Sequence, residues 1–163
     1  MALEAREDLT MSLEGYDELY QDLVLDHYKS PRNYRLIDNA NLTAEGFNPF
    51  CGDRVKLTAK VDENERIVEV GFAGSGCAIS QASASMMGEQ IKGLNLIKAK
   101  DMLTEFKNIM QGIAASDREE LGDLIALEGV KKFPVRIKCA LLAWSALQDG
   151  IAKHQKQRDL PAK

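Results

Sequence analysis

Three cysteines and one aspartate are the residues of this sequence best suited to chemistry. Cys51, Cys77 and Cys139 are its three cysteines, and Asp53 lies two positions after Cys51. An odd and sparse set of cysteines is not typical of a secreted disulfide framework, which leaves metal binding, catalysis and buried inert thiols as roles. Three thiolates and one carboxylate form a four-ligand set that tetrahedral zinc accepts, and thiolates also suit iron–sulfur clusters. Because a carboxylate exchanges more readily than a fourth thiolate, this set favours a site that opens.

The local sequence places each cysteine at a boundary between predicted elements. Cys51 precedes a strand, Cys77 separates a strand from a helix, and Cys139 lies early in the last helix. Helix N-termini carry partial positive charge, so we expect them to favour the thiolate forms of Cys77 and Cys139. Residues i and i+2 of an extended segment point to the same side, so Cys51 and Asp53 are expected to converge on one ion.

The cysteine spacing by itself is a weak signal, because it contains no CxxC pair. The alternative interpretation is that three small apolar thiols fill ordinary gaps in the core. The glycines next to Cys51 and Cys77 argue against that interpretation, since they let the backbone bend toward a shared point and a packed core cysteine does not need them.

Hydrophobic periodicity predicts one helix, then a small antiparallel sheet, then further helices. Three segments alternate polar and apolar residues and are predicted strands: 42–47, 54–61 and 66–72. In the last of them, Val68, Val70 and Phe72 are expected on one face. Five segments show helical patterns: 16–28, 78–91, 102–113, a short charged helix within 117–130, and a last helix from Pro134.

The apolar stripe of the last helix decides where Cys139 is expected to point. That stripe is predicted to consist of Ile137, Leu141, Trp144, Leu147 and Ile151. Cys139 follows Ile137 by two residues, and at roughly 100° per residue it is expected to point away from the stripe.

These elements predict an α+β fold, with a small three-stranded antiparallel sheet and helices packed on one face. We expect a single domain over 1–163, with flexible segments at 1–14 and 155–163. The net charge of −4 argues against nucleic-acid binding, and the sequence shows neither a membrane-spanning run nor a secretory leader. The expected localisation is therefore cytoplasmic.

The three cysteine segments together resemble the IscU/NifU-type iron–sulfur cluster assembly family. The matching strings are NPFCGD (48–53), GSGCAIS (74–80) and PVRIKC (134–139), and Tyr20, His27, Pro31 and Asn33 fit the family's first helix and its exit. Lys138 stands where IscU has a histidine directly before the third cysteine, and there is an inserted segment at about 112–130. Both features are similar to the SufU branch, and the resemblance therefore implies an IscU/SufU-like fold.

The resemblance also implies a site and a reaction. Cys51, Asp53, Cys77 and Cys139 correspond to the family's metal ligands, with zinc as the metal. Cys51 corresponds to the residue that accepts persulfide sulfur from a SufS-type cysteine desulfurase, by thiol exchange. Downstream iron–sulfur assembly or acceptor proteins are the further partners that the resemblance implies.

Two alternative functions remain beside zinc-dependent sulfur transfer. One is a scaffold on which a transient [2Fe–2S] cluster is assembled and passed to apoproteins, and the other is a structural zinc protein. The absence of IscU's histidine at Lys138 favours transfer. Lys138 and Arg136 are candidates for contacts with a partner, whereas His27 lies on the apolar face of its helix and is expected to be a packed residue.

Overall fold

The structure is a computed structural model that describes residues 18–114 and 118–159. It contains helices α1 to α5, strands β1 to β3 and one long 3-10 helix. In chain order these are α1 (Glu18–Lys29), β1 (Leu42–Asn48), β2 (Asp53–Val61), β3 (Ile67–Ser75), α2 (Ala78–Ile91), α3 (Leu96–Met110), α4 (Arg118–Leu121), the 3-10 helix (Gly122–Lys132) and α5 (Pro134–Arg158). The predicted order of helix, sheet and helices is confirmed.

The sheet is a meander of three antiparallel strands in the order β1-β2-β3. All three predicted strands are present, and β3 extends beyond its predicted end at residue 72 through Ser75. The polar turn between β2 and β3 is fixed by Asp62, whose carboxylate accepts the backbone N–H groups of Asn64 and Arg66. The predicted α+β architecture is therefore confirmed.

The prediction that Val68 shares the buried face of β3 is wrong. Lys60 pairs with Glu69 but Val61 pairs with Ile67, so Val68 is the extra residue of a β-bulge. The bulge reverses the alternation at this end of the strand: Ile67 is fully buried, whereas Val68 is 40% exposed. Simple period-2 counting could not detect this extra residue.

The helices cover one face of the sheet and enclose a single hydrophobic cluster. The α5 helix packs across β1 and β2, while α2 lies against β3, α1 and α5. In the core Trp144 stacks at a tilt on Phe106, with ring centroids 4.9 Å apart. The Trp144 indole N–H donates to the Ser83 hydroxyl, which in turn donates to the carbonyl of Ala140. Small residues on α2 thus provide both close packing and a hydrogen-bond partner for the buried indole.

The buried face of α5 differs from the predicted stripe. Ile137 and Leu141 are only partly buried, whereas Cys139 is fully buried beside Ala140. The prediction that Cys139 points away from the core is therefore wrong. The physical reason is that Ala140, Ala143 and Ala146 are also buried on this helix. Small residues contribute little to an apolar stripe that is identified from side-chain size.

Two helical predictions in the second half of the chain also need correction. The α3 helix starts earlier than expected, because the Asn95 side chain caps it by accepting the backbone N–H of Lys98, and it ends before Ile113, which is exposed. The charged segment within 117–130 forms α4 followed by the 3-10 helix, and residue 117 lies outside the described residues.

His27 is a packed residue, as expected from its position on α1. It is 2% exposed, and its ring nitrogens lie 2.8 Å from the Ser85 hydroxyl and 3.2 Å from the Asp123 carboxylate. Because the Arg32 backbone N–H already donates to Ser85, the Ser85 proton is free to point at His27. His27 thereby connects α1 with α2 and with the 3-10 helix.

The expectation of flexible segments at 1–14 and 155–163 stays a prediction, because 1–17 and 160–163 are not among the described residues. The α5 helix itself continues through Arg158. Within the described ranges, none of the helices is both long enough and apolar enough to cross a lipid bilayer.

The Trp144–Ser83 hydrogen bond gives a test of the core. Replacing Ser83 with alanine leaves the buried indole N–H without its acceptor, which is expected to lower the free energy of unfolding by about 1–3 kcal/mol. Denaturant unfolding measures this change. Ser30→Ala, at an exposed position just after α1, is the matched control and should have little effect. Equal stability of the two variants would contradict the role assigned to this hydrogen bond.

Candidate metal centre

The β1–β2 hairpin brings the first two candidate ligands together. Asn48 at the end of β1 pairs with Asp53 at the start of β2, and residues 49–52 form the connecting loop. Gly52 closes this loop with a backbone φ of +72°, a conformation that glycine adopts without strain. Cys51 and Asp53 therefore converge across a tight turn, and the prediction that they share one side of an extended segment is wrong in its geometry.

Asp53 is fully buried on the helix-covered face of the sheet. One of its oxygens accepts the backbone N–H of Cys77 at 3.0 Å, at the point where β3 passes into α2. A Cβ on Gly76 would lie 2.4 Å from the same oxygen, so a residue without a side chain is required next to the carboxylate. Because a buried carboxylate is costly unless a cation or several donors compensate its charge, Asp53 is a strong candidate ligand.

Cys77 occupies the position directly before α2, as the sequence predicted. Its Sγ atom lies 3.8 Å from the second Asp53 oxygen and 3.9 Å from the Ser80 hydroxyl. The side chain is half-buried and lies beside the Asp53 carboxylate.

Cys139 reaches the same place from α5. Its Sγ atom lies 3.3 Å from that of Cys51, although the two residues are 88 positions apart in sequence. Cys139 is the sixth residue of α5, so it lies beyond the first turn, where the helix dipole acts most strongly. Our expectation of a helix-terminus effect therefore applies to Cys77 and not to Cys139.

The four candidate residues form one cluster. Ligand atoms of Cys51, Asp53 and Cys139 all lie within 4.8 Å of one another, and Cys77 adjoins them through Asp53. Sulfur atoms bound to one zinc at about 2.3 Å each stand roughly 3.8 Å apart in a tetrahedron. The distances among Cys51, Asp53 and Cys139 are compatible with that requirement, while Cys77 lies outside this group of three and beside Asp53. The donor set of three thiols and one carboxylate suits zinc.

The sulfur atoms influence one another's protonation. The Cys139 thiol donates toward Cys77 and lowers the pKa of Cys77 to about 6, against an ordinary value of 9.0, although burial and the Asp53 charge oppose this shift. The same interaction, together with burial, raises the pKa of Cys139. In the metal-free protein, Cys77 is therefore the thiolate and Cys139 holds the shared proton.

Two basic residues of α5 flank the cluster. Partial burial works to lower the pKa of Arg136, but its interactions with Cys77 first, and then with Cys139 and Cys51, outweigh burial, so this pKa is raised. The Lys138 ammonium lies 4.6 Å from the ring centroid of Phe50, the residue before Cys51, and Phe50 is 77% exposed. Arg136 thus faces the cluster, whereas Lys138 covers the outer side of the loop.

Two polar residues of this site belong to the quoted cysteine motifs but were not singled out individually from the sequence. Asn48 and Ser80 are both buried and both approach a cysteine sulfur. An asparagine before a proline and a serine in a small-residue helix are both common in ordinary structural roles, so their types gave no signal. Their positions, three residues before Cys51 and three after Cys77, are the feature that could have indicated them.

Comparison with known proteins identifies relatives over most of the chain. The family model of the NifU-like N terminal domain matches residues 19–160. The zinc-dependent sulfurtransferase SufU of Bacillus subtilis is 47% identical over 139 residues, covering 85% of this chain and 93% of SufU. The iron–sulfur cluster assembly scaffold protein IscU of Streptococcus pyogenes is 39% identical, covering 92% and 93% of the two chains.

A solved structure supports the same relationship. The crystal structure of FiSufU from Fervidobacterium islandicum AW-1, named as an iron–sulfur cluster assembly scaffold protein for the SUF system, superimposes with a TM-score of 0.76. It shares 39% sequence identity and covers 83% of this chain and 96% of its own. The resemblance found in the cysteine motifs is thereby confirmed, and the chain belongs to the family of NifU-like N-terminal domains.

Proposed function

We propose that this chain serves iron–sulfur cluster biogenesis as a zinc-bound acceptor of sulfur, which it takes from a cysteine desulfurase and passes on. The observation that carries the proposal is the approach of Cys51, Asp53 and Cys139 within 4.8 Å, with Cys77 beside Asp53. The relative named as a zinc-dependent sulfurtransferase, 47% identical to this chain, supports the choice of zinc and of sulfur transfer.

Cys51 is the proposed sulfur acceptor because of its position. It is half-buried at the tip of a hairpin, whereas Cys139 is fully buried within α5. A partner that approaches the hairpin tip meets Cys51 next to the exposed ring of Phe50. Thiol exchange requires access to a thiolate, and bound zinc would keep all three cysteines as thiolates. Cys77 is also half-buried, but it directly precedes α2 and lies against the Asp53 carboxylate, whereas Cys51 belongs to the exposed hairpin loop.

The transfer is a displacement at sulfur. The Cys51 thiolate attacks the terminal sulfur of the desulfurase persulfide and forms a new S–S bond. The S–S bond of the desulfurase breaks, and the desulfurase cysteine leaves as a thiolate. The terminal sulfur keeps its own proton and its oxidation state, so the step needs neither an oxidant nor a reductant. The product is a persulfide on Cys51.

Cys51, Asp53, Cys77 and Cys139 are the residues that would hold the metal. When bound, zinc keeps cysteine ligands deprotonated and protects them from oxidation. Asp53 contributes a fixed carboxylate, because its other contact is the backbone N–H of Cys77. Arg136 adds a positive charge that faces the sulfurs and offsets part of their negative charge.

A scaffold for a transient [2Fe–2S] cluster is the second candidate function. The relatives named as IscU scaffold proteins, which include one at 39% identity, favour it. The metal content of the freshly purified protein distinguishes the two candidate functions. Stoichiometric colourless zinc supports sulfur transfer, whereas a brown protein that contains iron and sulfide supports the scaffold. A zinc protein that fails to accelerate a desulfurase would have a structural metal only.

Replacing Cys51 with serine tests the acceptor role. The variant is expected to lose its stimulation of alanine production by a SufS-type cysteine desulfurase and to carry no persulfide at position 51. The measurements are alanine release and mass spectrometry of the transferred sulfur. Ser30→Ala serves as the control and should stimulate like the original chain. Full stimulation by Cys51→Ser would refute the proposal.

The shared proton of Cys77 and Cys139 predicts the pH behaviour of the metal-free protein. Because the pKa of Cys77 is lowered to about 6, a first thiolate should appear as the pH rises through about 6 instead of near 9.0. The ultraviolet absorbance of thiolate, followed during a pH titration, reports this step. Cys77→Ser should remove it, whereas Cys51→Ser should retain it. A first step near 9.0 in all three proteins would contradict the shared proton.

A further inference from the structure

Asn48 lies against the metal centre but is not a candidate ligand. It is the last residue of β1, opposite Asp53, and its side chain is buried on the helix-covered face of the sheet. This position places it between the loop that carries Cys51 and the α5 residue Cys139.

The hydrogen bonds around Asn48 fix the orientation of its amide group. The backbone N–H of Phe50 donates to the side-chain oxygen of Asn48 at 3.2 Å, which closes a turn over the loop. Because a backbone N–H can only donate, the oxygen must face Phe50, and the amide NH₂ group faces the other way. There the nitrogen lies 3.7 Å from Cys139 Sγ. The Asn48 carbonyl accepts the Gly52 N–H at 2.8 Å and completes the loop.

In this arrangement the sulfur of Cys139 has an N–H donor from Asn48, and the neighbouring sulfur of Cys51 does not share that donor. An N–H donor directed at a thiolate disperses its negative charge, so the sulfur becomes a weaker nucleophile and a weaker electron donor. The donor reaches Cys139, which is fully buried. Cys51, whose sulfur is only 3.3 Å from that of Cys139, is instead held by the backbone of the loop that Asn48 closes.

We propose that Asn48 is a positioning residue that makes Cys51, and not Cys139, the reactive sulfur of the pair. One end of its side chain holds the Cys51 loop in place, and the other donates to the Cys139 sulfur and keeps that sulfur bound within α5. The inference rests on the proposed function in its choice of Cys51 as the acceptor, but the contact with Cys139 is measurable without any desulfurase.

Two substitutions remove the amide NH₂ group that faces Cys139 while keeping an acceptor for the Phe50 N–H. Asn48→Ser supplies a hydroxyl oxygen without added charge, and Asn48→Asp supplies a carboxylate oxygen with one negative charge. Agreement between the two variants excludes charge as the cause of an effect. Asn64→Ser and Asn64→Asp, on the exposed turn between β2 and β3, are the matched controls.

The probes are cobalt(II) loaded in place of zinc, and a thiol-alkylating reagent. In both Asn48 variants the sulfur-to-cobalt charge-transfer band should move to longer wavelength, because Cys139 has become a stronger donor. Alkylation of the zinc protein, mapped by mass spectrometry, should shift several-fold from Cys51 toward Cys139. The Asn64 controls should match the original chain in both measurements.

A purely structural role for Asn48 predicts a lower melting temperature with an unchanged charge-transfer band. An unchanged band and an unchanged alkylation ratio in Asn48→Ser, relative to Asn64→Ser, would overturn the inference. If Asn48→Asp fails to fold, the neutral serine variant decides the question. A shifted band together with full desulfurase stimulation by Cys51→Ser would instead refute the proposed function and leave the Asn48–Cys139 contact established.

Discussion

A buried carboxylate is the constraint around which this site is organised. Asp53 is removed from water at the first residue of β2, and such a charge persists only where donors or a cation compensate it. Its contact with the Cys77 backbone joins the sheet to the start of α2, and the absence of a side chain at Gly76 makes that approach possible. The register of the β1–β2 hairpin then determines that Cys51 and Asn48 lie beside the carboxylate.

The candidate ligand residues could be proposed from the sequence because their chemistry is unusual and their neighbours are specific. Three cysteines, two of them beside glycines, with an aspartate two positions after the first, form a combination that a packed core does not require. The strands could also be predicted, since the alternation of polar and apolar residues over 54–61 is a strong local pattern. Both signals are contained in short windows of sequence, and tertiary packing did not override them.

Three other features of the fold and the site could not be predicted, because they depend on long-range packing that local sequence patterns do not encode. The burial of Cys139 follows from the close approach of α5 to β1, where an added Cβ on Gly150 would lie 2.8 Å from the Leu42 side chain. The bulge at Val68 arises from the pairing of two strands, and neither strand contains it alone. Asn48 acquires its role only when α5, from a segment 91 positions away, brings a sulfur to its amide.

The hairpin-tip position of Cys51 has a mechanical consequence. Asp53 belongs to β2, Cys77 precedes α2, and Cys139 is part of α5, so these three side chains connect the sheet to α2 and α5. Cys51 belongs to a four-residue loop and connects no further element. If the Cys51 sulfur left a bound ion, the other three side chains would still hold β2, α2 and α5 together. The domain would then expose a reactive sulfur without any change in how these elements pack.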